Sequence, residues 1–378
     1  MTGAGLSITV LANARAGGGA RRTCQVAWRK GGLVDRPRLK DVARAAGVST
    51  ATVSLVLNDR HDGVRIPAET RRRVRQVAED MGYSPNTLAR SLRTQRSQTV
   101  ALLSDQIVTT PFAVQIVLAA QEAAWRRGYL LFLFDTGGNP QIERAAIASL
   151  RQQQVAAMIY ATMYHRMVPV PQGLPQQTVF VNCRPRGGGY AAAVPDERAG
   201  AHAAVLELLD HGHRRIAFLD DELTPEASAL RQLGLRDALA ERGATFDPAL
   251  HLHAPAGAAG GLAVGTLLDL PNDQRPTGVF CFNDRMAMGV YRAARQRGLR
   301  IPQELSVVGF DDQEYLAAEL DPPLTTVALP HRDMGRWAVE ALLDGPDTDA
   351  GSGAAQSTGA LLLPCPLVRR DSVARRAG

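Results

Sequence analysis

Apolar and polar positions change their spacing twice along this chain. Residues 1–35 are rich in Gly, Ala and Arg and show neither a helical nor a strand period, so they read as a disordered N-terminal extension. From Leu39 the spacing becomes helical, with Leu39, Val42, Ala43 and Ala46 on one face. Gly47 breaks that helix and Ser49 is placed to cap the next. The second helix is predicted over Thr50–Leu57, with Val53, Val56 and Leu57 on one arc and Thr50, Ala51, Ser54 and Leu55 pointing the other way. A third opens at Pro67, which suits a first helical position, and carries Val74, Val77, Ala78 and Met81 at i, i+3, i+4 and i+7 before Gly82 ends it. Three short helices with a tight Gly turn between the first two form the helix-turn-helix pattern.

Ser84 and Pro85 then start a further helix of about two turns, too short to be stable alone and expected to order only with a partner. After Gln98 the pattern alternates between strand and helix. Apolar runs that read as buried parallel strands are Val100–Leu103, Tyr129–Phe134, Val155–Tyr160, Thr178–Val181, Arg215–Leu219, Gly278–Phe282 and Leu305–Val308. Helical stretches between them include Phe112–Arg127, Arg198–His211, Ala229–Arg242 and Arg285–Arg297. Such alternation predicts a doubly wound α/β architecture, dividing near Val194 into two similar lobes. Gly345–Gly359 reads as a flexible connection.

The charge distribution gives this division a chemical meaning. The net charge is +6, but residues 1–35 carry +4, residues 36–98 carry +7 and the remainder −5. A basic head on a mildly acidic body fits a phosphate-binding module fused to a domain with another task. The four cysteines, Cys24, Cys183, Cys281 and Cys365, lie far apart and indicate neither a zinc site nor a disulfide framework. His211 and His213 have H-x-H spacing without a third ligand nearby, which reads as a turn before a strand, so no metal is expected. No apolar run reaches the roughly 18 residues of a membrane span. The segment Leu6–Ala12 lacks the charged flank of a signal peptide, so a cytoplasmic chain is expected. Phosphate-binding and nucleophile-elbow motifs of α/β enzymes are missing, so neither an enzyme nor a bound cofactor is expected.

Several motifs in order carry a family resemblance. LKDVARAAGVSTATVSLVLN at Leu39–Asn58 resembles the helix-turn-helix of the lac repressor (LacI/GalR) family, and GYSPNTLARSL at Gly82–Leu92 resembles its hinge helix. PFAVQIV at Pro111–Val117, HGHRRIAFL at His211–Leu219, NDRMAMGVYRAARQRGLRIPQELSVVGFDD at Asn283–Asp312 and LTTV at Leu324–Val327 are similar to its sensor-domain signatures. The resemblance spans about residues 37–373. It implies a small all-α helix-turn-helix DNA-binding domain (36–83), joined by a hinge helix and linker (84–98) to a two-lobed α/β periplasmic-binding-protein-like domain (99–378). Lobe 1 is then about 99–194 and 326–360, and lobe 2 about 195–325 and 361–373.

The resemblance also assigns roles. Thr50, Ala51 and Leu55 stand at base-reading positions in the major groove. Leu55 departs from the long polar residue common in the family and cannot hydrogen-bond a base. Ser49, Thr52 and Ser54 suit phosphate contacts. Asn58, Tyr83, Asn86, Ala89 and Arg90 complete the DNA-facing set, and Leu92 matches the hinge leucine that wedges into the minor groove and bends the duplex. In the sensor, Phe112, Arg231, Asn283 and Asp311 are the effector-binding positions, with Asp105 and Asp135, also at strand ends, as further candidates. An acid, an amide and an arginine converging on one cleft suit a polyhydroxylated ligand. The partners implied are a roughly palindromic double-stranded operator, a sugar effector and a second copy of the chain. A purine or other metabolite acting as corepressor is the alternative. The chain stops soon after Arg370–Ser372 without a leucine heptad, from which a dimer rather than a coiled-coil tetramer is expected.

Overall fold

The computed structural model describes residues 37–57, 66–83, 97–107, 113–223, 225–344 and 359–376, and the chain divides into two compact units, residues 1–87 and 88–378. The N-terminal extension, the hinge segment, Asn58, Phe112 and most of the Gly345–Gly359 connection lie outside the described residues.

In the N-terminal unit α1 (Leu39–Ala46), α2 (Thr50–Leu57) and α3 (Ala68–Asp80) form as the periodicity predicts. Gly47 ends α1 in the left-handed conformation (φ 65°), and the next amide, Val48 N–H, reaches back 3.0 Å to the Ala43 carbonyl. Only a residue tolerant of positive φ allows so tight a turn into α2. The shared core is Val42, Ala43, Ala46, Val53, Val56, Ile66, Val74 and Ala78. Pro67 sits at the cap rather than at the first helical position, one residue earlier in the helix than its sequence suggests.

The second unit is built on two parallel sheets. The first runs in the order β11-β5-β4-β3-β1-β2, from β1 (Thr99–Ser104), β2 (Leu130–Asp135), β3 (Ala157–Val168), β4 (Thr178–Pro185), β5 (Ala191–Pro195) and β11 (Leu361–Leu363). The second runs β7-β6-β8-β9, from β6 (Ile216–Asp221), β7 (His251–Ala254), β8 (Gly278–Cys281) and β9 (Ser306–Val308). A short antiparallel pair, β10 (Thr326–Val327) with β12 (Leu367–Val368), completes the strands. The helices that matter for the site are α4 (Val114–Arg126), α5 (Pro140–Gln152), α6 (Glu197–Asp210), α7 (Pro225–Glu241), the short α8 (Ala258–Gly261) and α9 (Gly265–Leu268), α10 (Asp284–Gln296) and α11 (His331–Leu343). Helix α7 lies hard against α6: a Cβ on Gly234 would stand 2.2 Å from the Arg198 carbonyl oxygen, so only glycine permits the approach.

Three details differ from the sequence reading. Leu361–Leu363 adds to the first sheet beside β5, and Thr326–Val327 pairs with β12 beyond it, so the lobe boundaries at 326 and 360 each fall a few residues early. The crossings lie side by side, with Asp196 N–H bonded to the Leu363 carbonyl (2.8 Å) and Ala328 N–H to the Pro366 carbonyl (2.9 Å). Strands β5 and β7 escaped the pattern because AAAVP and HLHA lack a long apolar run. The run at β2 is not buried as expected. It is an edge strand with one neighbour, and Leu130 and Phe132 keep 54% and 41% of their surface exposed.

Candidate functional site

On α2 the Ser49 hydroxyl accepts the Thr52 amide at 3.0 Å and lies 2.9 Å from the Thr52 hydroxyl, so Ser49 caps the helix as its sequence suggests. Thr50 and Ala51 are exposed, and Thr52 and Ser54 half-buried. Leu55 differs from the expectation that it points outward: it is half-buried and packs against the apolar core. Tyr83 also packs against this core, and burial raises its phenol above the ordinary value. Arg72 and Arg73 on α3 are exposed and add positive charge that the periodicity argument did not single out.

In the second unit the strands deliver polar residues to the space between the lobes at their C-terminal ends, where parallel α/β sheets place ligand groups. The centre is Arg231 on α7. Its Nε donates to Glu197 Oε2 at 2.7 Å, its Nη1 donates to the Phe282 carbonyl, and its guanidinium covers the Phe282 and Phe310 rings at 4.2 and 3.7 Å from their centroids. Arg231 and Glu197 are both almost fully buried. Burial is the strongest single influence on the Glu197 carboxyl and pushes it up, but Arg231 and His165 beside it together outweigh this and hold it below the ordinary range. Burial opposes the charge on Arg231 most strongly, but Glu197 and Asp311 together outweigh it and raise its pKa.

His165, from the end of β3, faces this pair from the first lobe. Its ring stands 3.8 Å from Glu197 and 3.9 Å from Glu226, and neither ring nitrogen makes a hydrogen bond. Arg184 from β4 pairs with Glu226, and Arg285 from α10 donates to the Tyr164 hydroxyl at 3.3 Å. These pairs span the two lobes.

Asp311 follows β9 with φ 111°, an unfavourable conformation for a residue with a side chain, which turns its carboxylate toward the interlobe space. Gln313 Nε2 donates to it at 3.0 Å. Burial pushes the Asp311 carboxyl up to about 7, against the opposing pull of Arg231. Its neighbour Asp284 is driven up by burial and by the charge of Asp311, while accepting bonds from the Thr326 hydroxyl (2.6 Å) and the Gln313 amide (2.7 Å). Burial lowers the buried His331 imidazole to about 4. A cavity of about 950 Å³ opens here, lined from the first lobe by Gln115 and His331 and from the second by Arg285, Asp311, Gln313 and Tyr315.

Of the sequence-selected effector residues, Asp311 reaches this cavity and Arg231 lies in the buried cluster with it. Asn283 caps α10, its Oδ1 accepting the Met286 amide at 2.8 Å and its Nδ2 donating to the Ala256 carbonyl at 3.3 Å. Asp105 accepts bonds from the Met163 amide (2.8 Å) and Arg166 (2.7 Å), tying β1 to β3. Asp135 accepts the Ser104 hydroxyl and the Gly137 amide, both at 2.9 Å. These three carry structural bonds, as strand-end Asp and Asn residues often do. Glu197, His165 and Arg285 were missed because they occupy a helix start, a strand end and a helix first turn, where charged residues are ordinary. His213, by contrast, does what a turn residue should: its ring bonds Thr277 (3.0 Å) and the Ala374 carbonyl (3.1 Å).

A helix-turn-helix unit followed by a two-lobed α/β unit with a polar cleft defines the class of ligand-responsive DNA-binding regulators. The profile of bacterial regulatory proteins of the lacI family matches residues 38–86, and that of periplasmic binding protein-like domains matches residues 205–373. The chain is 34% identical to the HTH-type transcriptional repressor PurR of Vibrio cholerae over 313 residues, covering 81% of this chain and 90% of the relative. It is also 34% identical to the ribose operon repressor of Escherichia coli over 310 residues, covering 81% and 92%. A lac repressor dimer bound to operator and an anti-inducer superposes with a TM-score of 0.72 at 26% identity, covering 89% of this chain and 99% of the other. The chain belongs to the lacI family of bacterial transcription regulators. Among the described residues no helix is long and apolar enough to cross a membrane.

Proposed function

We propose that the chain is a cytoplasmic repressor that binds a roughly palindromic operator as a homodimer and releases it when a sugar occupies the interlobe cleft. The observation that carries the effector reading is Asp311. Its buried carboxylate borders a cavity that also presents Arg285, Gln313 and His331, an acceptor set among donors as paired sugar hydroxyls require. His165, buried with both ring nitrogens unbonded, adds a further polar group from the other lobe beside Glu197. The ribose operon repressors among its relatives support a sugar.

DNA is contacted by Thr50, Ala51 and the half-buried Leu55 at bases, by Ser49, Thr52 and Ser54 at phosphates, by Asn58, and by Tyr83, Asn86, Ala89, Arg90 and Leu92 through the hinge. The exposed β2 edge, with Leu130, Phe132 and nearby Trp125 at 70% exposure, favours a second copy covering the first lobe. Cleft closure changes the separation of the two hinges, so effector and operator alter each other's affinity by the same factor.

A thermal-shift screen of the full chain against sugars, sugar phosphates, nucleosides and purines tests the effector. A ligand bound only by the folded state raises the Tm by mass action. A sugar hit that weakens operator binding supports the proposal, whereas a purine hit that tightens it replaces induction with corepression.

A further inference from the structure

One cluster of metal-ligating side chains lies outside the cleft contacts described above. Strand β7 carries His251 and His253 two residues apart, hence on one face, and forms the edge of the second sheet. In the parallel register Asp220 of β6 stands opposite His253, and one carboxylate oxygen and one nitrogen from each ring lie within 4.8 Å of one another. Asp220 is buried, His251 half-buried and His253 exposed, so the cluster has a fixed floor and an open side.

We infer that Asp220, His251 and His253 bind a divalent first-row transition metal such as Zn(II). Two imidazoles and one carboxylate form the mixed N/O set that such ions take, and tetrahedral bonds of about 2.0–2.1 Å require donors about 3.3 Å apart. Two of the three are already in place: His251 Nε2 lies 3.1 Å from Asp220 Oδ2. Asp220 Oδ1 is anchored by the Asp221 amide at 2.8 Å, and the His251 ring is held by stacking on Phe218, 5.0 Å between centroids. His253, whose ring centre lies 4.4 Å from that of His251, needs only a side-chain swing on an exposed edge.

The surroundings supply the second requirement of a histidine ligand. Gln232 of α7 touches His251 Nδ1 at 3.1 Å through its amide. When a metal takes the Nε2 lone pair, the single imidazole proton sits on Nδ1 instead, Nδ1 becomes the N–H donor, and a 180° turn of the same Gln232 amide presents Oε1 to accept it. An acceptor on the far nitrogen fixes the tautomer and orientation of metal-bound histidines. Three protein ligands leave the fourth position to water on the solvent side, next to His253. An internal hydrogen-bond chain from Gln232 through His251 to Asp220 accounts for three of these residues but not for a second imidazole beside the carboxylate.

The test uses the full chain stripped with chelator and then titrated with Zn(II) by calorimetry and with Co(II) by visible absorption. The site predicts uptake of one ion by these residues, a rise in Tm and the intense visible bands of a four-coordinate Co(II) site. His253→Ala removes an exposed side chain, so the metal-free variant keeps the wild-type Tm while losing the Co(II) bands and the Tm response. Gln232→Ala weakens affinity by about 10–100-fold, the usual cost of deleting an outer-shell partner, while retaining the bands. No uptake by the wild-type chain, or uptake with unchanged affinity and spectrum in His253→Ala, overturns the assignment.

Discussion

Among the described residues of the N-terminal unit no polar or charged side chain is buried: the core is Val, Ile and Ala, and the groups facing outward include Thr, Ser, Arg, Lys and Glu. The second unit buries Glu197, Arg231, Asp284, Asp311, His165 and His331 among its strand ends. Each ion taken from water into such surroundings costs several kcal/mol before pairing offsets it. The contrast follows from what each unit binds. A duplex is read from outside, so the unit that reads it keeps its polar groups in water. A small ligand must be enclosed, so the unit that encloses it holds polar groups in the interior and constrains them with one another.

The sharpest way to break this contrast is Glu197→Ala. It leaves the Arg231 guanidinium buried without its ion partner, for an expected loss of about 3–5 kcal/mol in the stability of the second unit. Urea unfolding with a probe in each unit reads the two separately. A loss below about 1 kcal/mol, the worth of an exposed pair, would mean that the cluster is solvated and the comparison misdrawn. The counterpart in the first unit is Val53→Ala, which removes two buried methyl-sized groups at a fully enclosed position. Transfer and cavity terms together predict about 2 kcal/mol.

The same contrast decides what could be read in advance. Val42, Ala43, Ala46, Val53, Val56, Val74 and Ala78 are legible because helical periodicity maps directly onto a face. The strand–helix alternation of the second unit is equally plain, and Arg231 and Asp311, which the resemblance marks as effector positions, lie in the polar interior. Asn283, Asp105 and Asp135 look identical to Asp311 in sequence, each a polar residue after an apolar strand. What separates them is whether nearby amides use up their oxygens, and those amides come from Met286, Met163 and Gly137. Glu197, His165 and Arg231 come together from three separate elements, and no local pattern announces a meeting of that kind. The exposed side of β2 was hidden for a related reason: an apolar run reports that a strand seeks cover, not which molecule provides it.

Asp311 offers a test by pH. Its folded-state carboxyl titrates near 7 because burial disfavours the charge, against an ordinary value of 3.8. The folded chain therefore holds this proton where the unfolded chain has lost it, so this group's contribution to stability falls as pH rises from about 4 to 7. His331, lowered to about 4 from 6.5, acts with the opposite sign, its contribution being lost as pH falls below 6.5. Ligand binding separates the two. If effector hydroxyls donate to ionised Asp311, affinity rises about 10-fold between pH 6 and 8 in the wild type, following the ionised fraction. Asp311→Asn flattens that rise. A wild-type affinity without pH dependence in this range would remove Asp311 from the contacts.

The smallest effect expected is at Ser49, whose hydroxyl caps α2 and is proposed to meet a phosphate as well. As the cap of α2 it accepts the Thr52 amide at 3.0 Å, and Ser49→Ala should cost the N-terminal unit about 1 kcal/mol. That loss alone does not say whether Ser49 also meets a phosphate, because a frayed α2 weakens DNA binding indirectly. Ser49→Asp separates the roles. Aspartate caps a helix as well as serine and suits the positive end of the helix dipole, so stability is retained. Its charge repels a phosphate, so a contact at this position predicts weaker binding to operator and random DNA alike, since phosphate contacts carry no sequence information. Full DNA affinity in Ser49→Asp, measured at fixed salt, would confine Ser49 to capping and leave the phosphate grip to Thr52 and Ser54.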